Sequence, residues 1–575
     1  MKVNKYISAL LLITLVFFIN ILCSFINWDI DLTAEKKYSL SQKTNTIINT
    51  LDDRLFIKVY LEGDFPAEFK KLQKATENLL RSLKSISDDN IDFEFINPNE
   101  SNNDEEKLAL FRQLVALKLA PTDLDMSKIG QQVNQIIFPG AMIYYKDKQL
   151  AVNFLKQKSG ETPASNINTS IENLEFDFVS AIQHLTKEKL DKIAFLDGNG
   201  ELHEQQVYDI TKSVLEDNFN LSYYYHVDRF NLKEFAIDST TMQPNLSRQL
   251  AMLNMYKVII IAKPTIPFND LDKLLIDQYV MRGGKILWLV DGVQANMDSL
   301  QNKSDTFIAT KNDLNIDNQL FRYGVRINAN LIEDLRSTKI PIITGYSNNK
   351  PQQSFLSWPY FRLLISDNQH IITKGLDGIK CSFVSSIDTI KNNINKTILL
   401  HSSRKSRLNL APTKISLGIL ENPPAMESYN KEYEPIAILL EGRFESVFKD
   451  KLVQKTNQIQ LKEKSIPTKM IVVADGDLIS NDVSGSGTVF PLGYDKNIKY
   501  TYPGNKHFLI NAIQYLCDDS GLSHLKTKDL SLRMLDKEKV QKNKFLIQLI
   551  NIIFPIVLLL LFAFYFIQNK KNKYA

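Results

Sequence analysis

The stretch KIAFLDGNGE, Lys192 to Glu201, decides the fold class of this chain. Its first half is a continuous apolar run, and its second half is a glycine-rich turn with acidic residues. A short apolar run of this kind is typical of a strand that is buried on both faces of a parallel sheet. A helix is predicted from His203 to Glu216, so the segment indicates a strand, a tight turn and a helix.

Similar apolar runs recur further along the chain. The run Pro267 to Arg282 is predicted to be a helix, and Gly283 and Gly284 fit its carboxyl end. Alternation of buried strands and helices favours an open, mainly parallel α/β sheet over residues 189–530. Residues 341–433 are expected to make excursions from this sheet. The later strands are predicted at Lys257–Pro264, Lys285–Gly292, Ile436–Gly442 and Lys469–Asp477.

The preceding segment, residues 27–188, has a different order of elements. Strands are predicted at Leu55–Leu61, at Ile91–Ile96 and, as a pair, within Phe138–Leu155, with helices between and after them. The order β-α-β-α-β-β-α predicts a thioredoxin-like domain. The segment contains no cysteine, which excludes dithiol redox chemistry there.

The composition is that of a folded protein of several domains. The chain has 575 residues, of which 44% are apolar and 23% are charged, and its net charge is +4; this excludes a disordered chain and predicts two to four domains. Three cysteines, Cys23, Cys381 and Cys517, are too few for a disulfide scaffold or a cysteine-rich zinc module.

Each end of the chain carries a long uncharged stretch. Residues 6–26 and 545–567 are long enough to cross a bilayer as helices, and the tails at 1–5 and 568–575 are basic. Basic flanks favour the cytoplasmic side. The sequence therefore predicts a bacterial inner-membrane protein with both termini in the cytoplasm and the bulk of the chain in the periplasm. Without the five lysines of the tails, 64 basic residues face 65 acidic ones, so no nucleic-acid partner is predicted.

Polar residues follow several predicted strands. Ligands of open α/β sheets bind beyond the carboxyl ends of the strands, so these residues are predicted to line a ligand pocket. Because Asp-Gly pairs also make good turns, the alternative is that these segments are only tight turns. A cation between the carboxylates is a further, less common possibility, and neither a metal ion nor another cofactor is predicted. The residues are Asp197, Asn199, Glu201, Asp291, Asp475 and Asp477.

No pattern for catalysis is present. The turn after the first strand lacks the third glycine of G-x-G-x-x-G and the Gly-Lys-Ser/Thr of a P-loop. A nucleophile elbow of the form G-x-S-x-G is also missing, and Cys381 and Cys517 are predicted to be core residues. We therefore predict no catalytic residue and a protein that is not an enzyme.

Six segments of the chain, taken in order, carry a family resemblance. They are DLTAEKKYSLS (Asp31–Ser41), KVYLEGDFPAEFKKL (Lys58–Leu72), FLDGNGE (Phe195–Glu201), YKVIIIAKP (Tyr256–Pro264), YVMRGGKILWLVDGV (Tyr279–Val293) and IVVADGDLISND (Ile471–Asp482). Together they resemble the GldG family of gliding-motility-associated auxiliary subunits of ABC-type transport systems in Bacteroidetes. The resemblance implies a membrane-embedded partner complex made of an ABC ATPase and a polytopic permease, and an auxiliary, so-called substrate-binding role with an unknown periplasmic ligand. It also implies that the α/β domain over residues 189–530 is amidotransferase-like but lacks the Cys and His catalytic pair, and it implies no ligand residues.

Two other functions remain open at this point. One is a periplasmic hydrolase that uses carboxylates such as Asp197, Glu201 and Asp477 as an acid/base pair. The other is a solute-binding protein anchored at both ends.

Overall fold

The chain forms a mixed α/β protein. It divides into two compact units, Met1–Lys528 and Asp529–Ala575, and the second unit contributes one long helix. The computed structural model describes residues 14, 40–101, 103–125, 134–155, 162–187, 190–211, 225–234, 245–301, 306–347, 350–364, 370–449, 459–523 and 544–574.

The first sheet has four strands in the order β2 (Ile91–Phe95), β1 (Leu55–Val59), β5 (Gly140–Tyr145) and β6 (Lys148–Asn153). Strand β1 pairs in parallel with β2 and antiparallel with β5, and three helices cover the apolar face of the sheet. The strands predicted around residues 55–61, 91–96 and 138–155 are confirmed, whereas the hairpin β3–β4 was not predicted because its strands are short and polar. The elements are β1 (Leu55–Val59), β2 (Ile91–Phe95), β3 (Thr122–Asp125), β4 (Asn134–Ile137), β5 (Gly140–Tyr145), β6 (Lys148–Asn153), α1 (Gln42–Ile48), α2 (Ala67–Ile86), α3 (Asp104–Ala116) and α4 (Pro163–Thr186).

The second sheet begins with four strands that the sequence places in alternation with helices. Strands β9 (Val258–Ala262) and β10 (Lys285–Leu289) are fully buried along their whole length, as expected for strands covered on both faces. The elements are β7 (Asp191–Asp197), β8 (Tyr225–Asn231), β9 (Val258–Ala262), β10 (Lys285–Leu289), α5 (Tyr208–Ile210), α6 (Leu246–Leu253) and α7 (Asp270–Met281), with a 3-10 turn at Glu204–Val207.

After β10 the chain leaves this sheet and forms several small sheets before it returns. These later elements are β11 (Val293–Gln294), β12 (Thr306–Lys311), β13 (Val325–Ile327), β14 (Asn330–Asp334), β15 (Ser337–Ser347), β16 (Lys350–Leu364), β17 (Ile379–Ser382), β18 (Ile387–Thr389), β19 (Asn395–His401), β20 (Ser406–Leu410), β21 (Thr413–Ser416), β22 (Pro435–Gly442), β23 (Thr468–Val473), β24 (Tyr494–Asp495), β25 (Tyr500–Thr501), α8 (Asp298–Gln301), α9 (Asp317–Tyr323), α10 (Pro503–Cys517) and α11 (Lys544–Tyr574), with 3-10 turns at Leu417–Ile419, Met426–Ser428 and Asp477–Ile479.

The large sheet has seven strands in the order β19-β22-β23-β10-β9-β7-β8. Strands β23, β10, β9, β7 and β8 are parallel, and β22 and β19 add an antiparallel edge. Ile193 and Phe195 of β7 point to the side that α10 covers, and Ala194 and Leu196 point to the side that α6 and α7 cover. The sheet is therefore buried on both faces, which leaves the carboxyl ends of its strands as the place where polar residues gather.

The prediction of a transmembrane helix at each end is wrong for the described part of the chain. No helix there is both long enough and apolar enough to cross a membrane. The predicted span at 6–26 lies outside the described residues apart from residue 14.

This finding also overturns the predicted location. The expectation of an inner-membrane protein with cytoplasmic termini and a periplasmic bulk was derived from the two spans, so it is wrong together with them. The predicted fold class is corrected in the same way: the chain is mixed α/β, without the flanking transmembrane helices.

Helix α7 begins with a reciprocal cap that fixes the loop after β9. The Asn269 side chain accepts a hydrogen bond from the Asp272 backbone N–H at 2.8 Å, and the Asp272 carboxylate accepts one from the Asn269 N–H at 3.1 Å. We expect Asn269→Ala to lower the free energy of unfolding by about 1 kcal/mol, whereas Asn269→Ser should lose little because serine also caps. Urea unfolding of the three proteins checks this, and equal losses for both variants would contradict it.

Candidate functional site

The central strands of the large sheet bring a set of charged residues together at their carboxyl ends. Strand β10 lies between β9 and β23, and Leu289 is in register with both Ala262 and Val473. The residues that follow each strand therefore emerge side by side. They are Lys263 after β9, Asp291 after β10, and Asp475 and Asp477 after β23.

Three of these residues form a carboxylate cluster, which we define as Asp291, Asp475 and Asp477. One carboxylate oxygen from each lies within 4.8 Å of the others. The Lys263 ammonium donates a hydrogen bond to Asp477 and lies 3.5 Å from Asp291 Oδ2. The carboxylate cluster therefore contains a cation that belongs to the protein itself. A lysine in this position provides the positive charge that a metal ion would otherwise supply.

Backbone N–H groups donate further hydrogen bonds to the carboxylate cluster. Asp475, which is fully buried, accepts from the N–H of Ser382 at 3.0 Å and from that of Asp477 at 2.8 Å. Asp291 accepts from the N–H of Gly476 at 2.6 Å. A side chain on residue 476 would meet Lys263 Cγ at 2.6 Å, so this position needs a glycine for the lysine to reach the carboxylates.

Burial and mutual repulsion raise the pKa values of two members of the carboxylate cluster. Burial, partly offset by Lys263, raises the pKa of Asp291 to about 6. Burial and the nearby charges of Asp477 and Asp291 raise the pKa of Asp475 to about 8. The same carboxylates raise the pKa of the Lys263 ammonium, which stays protonated at neutral pH.

These shifts make a prediction about stability. A carboxyl group whose pKa is higher in the folded than in the unfolded chain keeps its proton to a higher pH when the chain is folded. The stability that these two groups contribute is therefore greatest below about pH 4, and this contribution is lost as the pH rises to about 8. We expect the free energy of unfolding to fall by on the order of 2 kcal/mol between pH 5 and pH 8, measured by urea unfolding.

Asp475→Asn is the control for this pH dependence. The variant cannot take up the proton, so its stability should change much less between pH 5 and pH 8, whatever its absolute value. An equal slope in the variant and the parent would show that other groups cause the pH dependence.

The loop after β7 does not join the carboxylate cluster. Asp197 forms a two-pronged ion pair with Arg229 of β8, in which Arg229 Nε lies 2.8 Å from Asp197 Oδ2. Asn199 and Glu201 turn inward instead: the Asn199 N–H donates to Glu201 Oε2 at 2.7 Å, and Asn199 Nδ2 donates to Asp272 Oδ2 at 3.3 Å. The six predicted ligand residues thus fall into two groups of three.

Sequence reasoning missed three residues that complete these groups: Lys263, Arg229 and Asp272. Lys263 had a usable signal, because it follows a buried strand in the same way as Asp291 follows the next one. Arg229 and Asp272 had none, since their roles depend on strand register and on the start of α7.

A second buried carboxylate lies outside the large sheet. Glu333 of β14 is completely buried and accepts hydrogen bonds from Arg407 Nε at 2.5 Å, from Arg407 Nη2 at 3.0 Å and from the Tyr360 hydroxyl at 2.6 Å. Asn409 Nδ2 also donates to it, and the Tyr429 hydroxyl lies 3.4 Å away. Because protein groups donate hydrogen bonds to both oxygens of the Glu333 carboxylate, we assign this residue a structural role in the small sheets.

A cavity of about 300 Å³ lies at the opposite end of the large sheet, where its strands begin. Lys257 forms ion pairs with Asp191 at 3.1 Å and Asp519 at 2.9 Å along its wall. Cys517 also lines it, and burial raises the pKa of this thiol to about 12. A thiol with this pKa is a poor nucleophile, which agrees with the prediction that Cys517 is a core residue.

Comparison with known proteins gives the family of this chain. Residues 34–144 match a domain of unknown function. An uncharacterized protein of Borreliella burgdorferi is 21% identical over 481 residues, which cover 81% of this chain and 82% of that protein. Among solved structures, the mmIFT52 N-terminal domain covers 57% of this chain and 97% of its own chain at 13% identity, with a TM-score of 0.29, which is too low to show a shared fold.

One family model matches more than half of the chain. It spans residues 190–512, from the start of β7 into α10, and therefore contains the whole large sheet and the carboxylate cluster. This family is described as an ABC-type uncharacterized transport system. The chain belongs to this family of ABC-type transport system auxiliary proteins.

Proposed function

We propose that this chain is a non-catalytic auxiliary subunit that assembles with the ATPase and the permease of an ABC-type transporter. The observation that carries the proposal is the family match over residues 190–512, which takes in every strand of the large sheet. The role is to couple the partner complex to a ligand or to a further protein, with the α/β part as the presenting surface.

The contacts of the polar residues favour this role over that of a hydrolase. A carboxylate acid/base pair needs two groups that reach a substrate. Asp197 is held by Arg229, Asp475 is fully buried, and Asp477 is bound to Lys263. Asp477→Asn and Asp197→Asn variants that retain full function in cells would exclude the hydrolase.

Co-purification tests the proposal directly. The tagged full-length chain is purified from cells lysed in mild detergent, and the recovered proteins are identified by mass spectrometry. We expect an ABC ATPase and a polytopic permease in a fixed ratio. An unrelated protein with the same tag is the control, and recovery of the chain without either component would contradict the proposal.

We also propose that the transporter is associated with gliding motility. The ordered segments that resemble the GldG family support this finer assignment. Deletion of the gene should then abolish spreading of the cells over a surface. Normal spreading of the deletion strain would exclude the link to gliding and leave the transporter role to the co-purification test.

A solute-binding role has one specific observation in its favour, the cavity at the start of the strands. Its volume of about 300 Å³ is at the lower end of the range for small-molecule sites, and Lys257, Asp191 and Asp519 offer charges of both signs to a small polar solute. A thermal-shift screen with amino acids and sugars tests this, because a bound ligand raises the melting temperature. A flat screen for the parent would count against it, and Lys257→Met should abolish any shift that the parent shows.

A further inference from the structure

A buried oxygen cluster, which we define as Asn199, Glu201 and Asp272, lies beside the carboxyl ends of β7 and β9. Asn199 and Asp272 have no exposed surface, and Glu201 is 6% exposed. Asn199 connects the other two, since its N–H donates to Glu201 Oε2 at 2.7 Å and its Nδ2 lies 3.3 Å from Asp272 Oδ2. The three side chains therefore form one contiguous group.

Each member of the buried oxygen cluster keeps one oxygen without a hydrogen-bond partner among the described residues. These atoms are Asn199 Oδ1, Glu201 Oε1 and Asp272 Oδ1. A buried oxygen without a donor costs free energy, and native proteins nearly always satisfy it with protein, water or an ion. Three such oxygens in one contiguous group, one of them from a neutral amide, point to a ligand that all three could share.

The charge of the buried oxygen cluster is not balanced by its surroundings. Asp197 and Arg229 neutralise each other nearby. Among the described residues, the cation that forms an ion pair with this cluster is Lys233, whose ammonium lies 3.9 Å from Asp272 Oδ2 and whose side chain is 37% exposed. One distant, half-exposed ammonium against two buried carboxylates leaves an excess of negative charge.

The position in the sheet also favours a ligand. Strand β7 has β8 on one side and β9 on the other, so the direction in which strands are added reverses between β7 and β9. Open α/β sheets bind their ligands beside such a reversal. The loops after β7 and β9 contact each other there, since the N–H groups of Thr265 and Ile266 both donate to Asn199 O at 2.9 Å.

We propose that Asn199, Glu201 and Asp272 bind a hard cation of the Ca²⁺ type. Carboxylate and amide oxygens are the ligands that Ca²⁺ prefers, and it tolerates irregular geometry better than Mg²⁺ does. The cation supplies the charge that Lys233 leaves unbalanced and ties the loop after β7 to the start of α7.

Metal content and thermal stability of the full chain test this site. The protein is stripped with EDTA, passed through a desalting column in 1 mM CaCl₂ or MgCl₂, and analysed for bound metal by mass spectrometry. We expect about one Ca²⁺ per chain and a higher melting temperature with Ca²⁺ than with EDTA. Asp272→Asn should lose both effects, whereas Asp270→Asn, an exposed acid in the same turn of α7, should keep them.

Two further variants keep the test decisive if Asp272→Asn does not fold. Lys233→Met removes the competing ammonium from a half-exposed site, so we expect about a ten-fold lower Kd for Ca²⁺. Asp477→Asn, in the carboxylate cluster, should leave Ca²⁺ binding unchanged. Absence of bound metal in the parent, which would mean a buried water only, or loss of binding in Asp477→Asn but not in Asp272→Asn, would overturn the proposal.

Discussion

Lys263→Met is expected to destabilise the large sheet by about 3–5 kcal/mol, because it removes the ammonium from among three carboxylates. Breaking a buried ion pair by deleting one partner leaves an uncompensated buried charge, which costs far more than the intact pair contributes. Asp291 and Asp477 both lose their cation, and Asp475 lies beside them without exposed surface. Urea unfolding followed by tryptophan fluorescence, to which Trp288 of β10 contributes, measures the loss.

The loss should depend on pH in a defined direction. Lys263 lowers the pKa values of Asp291 and Asp475, so its removal raises both further. The folded variant then binds more protons than the unfolded chain up to a higher pH than the parent does. The difference in the free energy of unfolding between the parent and the variant therefore grows as the pH rises from 5 to 8. A deficit that stays constant over this range would show that packing, and not charge, is responsible.

A matched control is available on the surface. Lys311 and Asp317 form an ion pair at 2.6 Å, with side chains 48% and 56% exposed. Exposed pairs of this kind contribute less than about 1 kcal/mol, so Lys311→Met should be nearly neutral. If both lysine variants unfolded at the same urea concentration, the account of the carboxylate cluster would be wrong.

Glu333→Ala is expected to cost about 3–5 kcal/mol in the region of the small sheets. The substitution removes the acceptor for Arg407, Tyr360 and Asn409 at once and leaves the Arg407 guanidinium without its partner. Burial and the Glu333 charge raise the pKa of Tyr429 to about 12, and loss of the carboxylate should bring that pKa down. Absorbance titration of the tyrosines and urea unfolding measure the two effects.

A double variant separates charge from packing at this site. Replacing Glu333 and Arg407 together by methionine removes the buried pair and leaves no unpaired ion, so part of the loss in Glu333→Ala should be recovered. Glu427→Ala, at an exposed position, is the neutral control. A double variant less stable than Glu333→Ala would show that Arg407 contributes by its other contacts.

The strands of the large sheet could be predicted because their sequences have a strong local pattern. KVIIIAKP and KILWLVDG are short, continuous apolar runs that end in turn-forming residues, which is typical of strands buried on both faces, and they form β9 and β10. The convergence of Asp291, Asp475 and Asp477 followed from the same rule, because the carboxyl ends of neighbouring parallel strands meet at one edge. Their role in ligand binding stays a prediction.

Other features could not be predicted because they depend on contacts between distant parts of the chain. Asp197 was grouped with Asp291 and Asp475, but β9 separates β7 from β10, and Arg229 holds Asp197. The small sheets between β10 and β22 consist largely of short strands paired over long separations, such as β14 with β20, and no local pattern gives that register. The transmembrane helices were predicted from the apolar length of the terminal segments alone, and no described helix is long and apolar enough to cross a membrane.

The order of strands in the large sheet has a consequence for how the chain folds during synthesis. Strands β10 and β23 are hydrogen-bonded neighbours at the centre of the sheet, yet β10 ends at Leu289 and β23 begins at Thr468. A ribosome that adds about 5–20 residues per second therefore releases β10 many seconds before its partner exists. During that interval the apolar edge of KILWL is open to pairing with other chains, and such long-range contacts also form slowly. Aggregation of nascent chains truncated between 290 and 468 is the expected signature, and chaperones that shield strand edges would be needed most within this window.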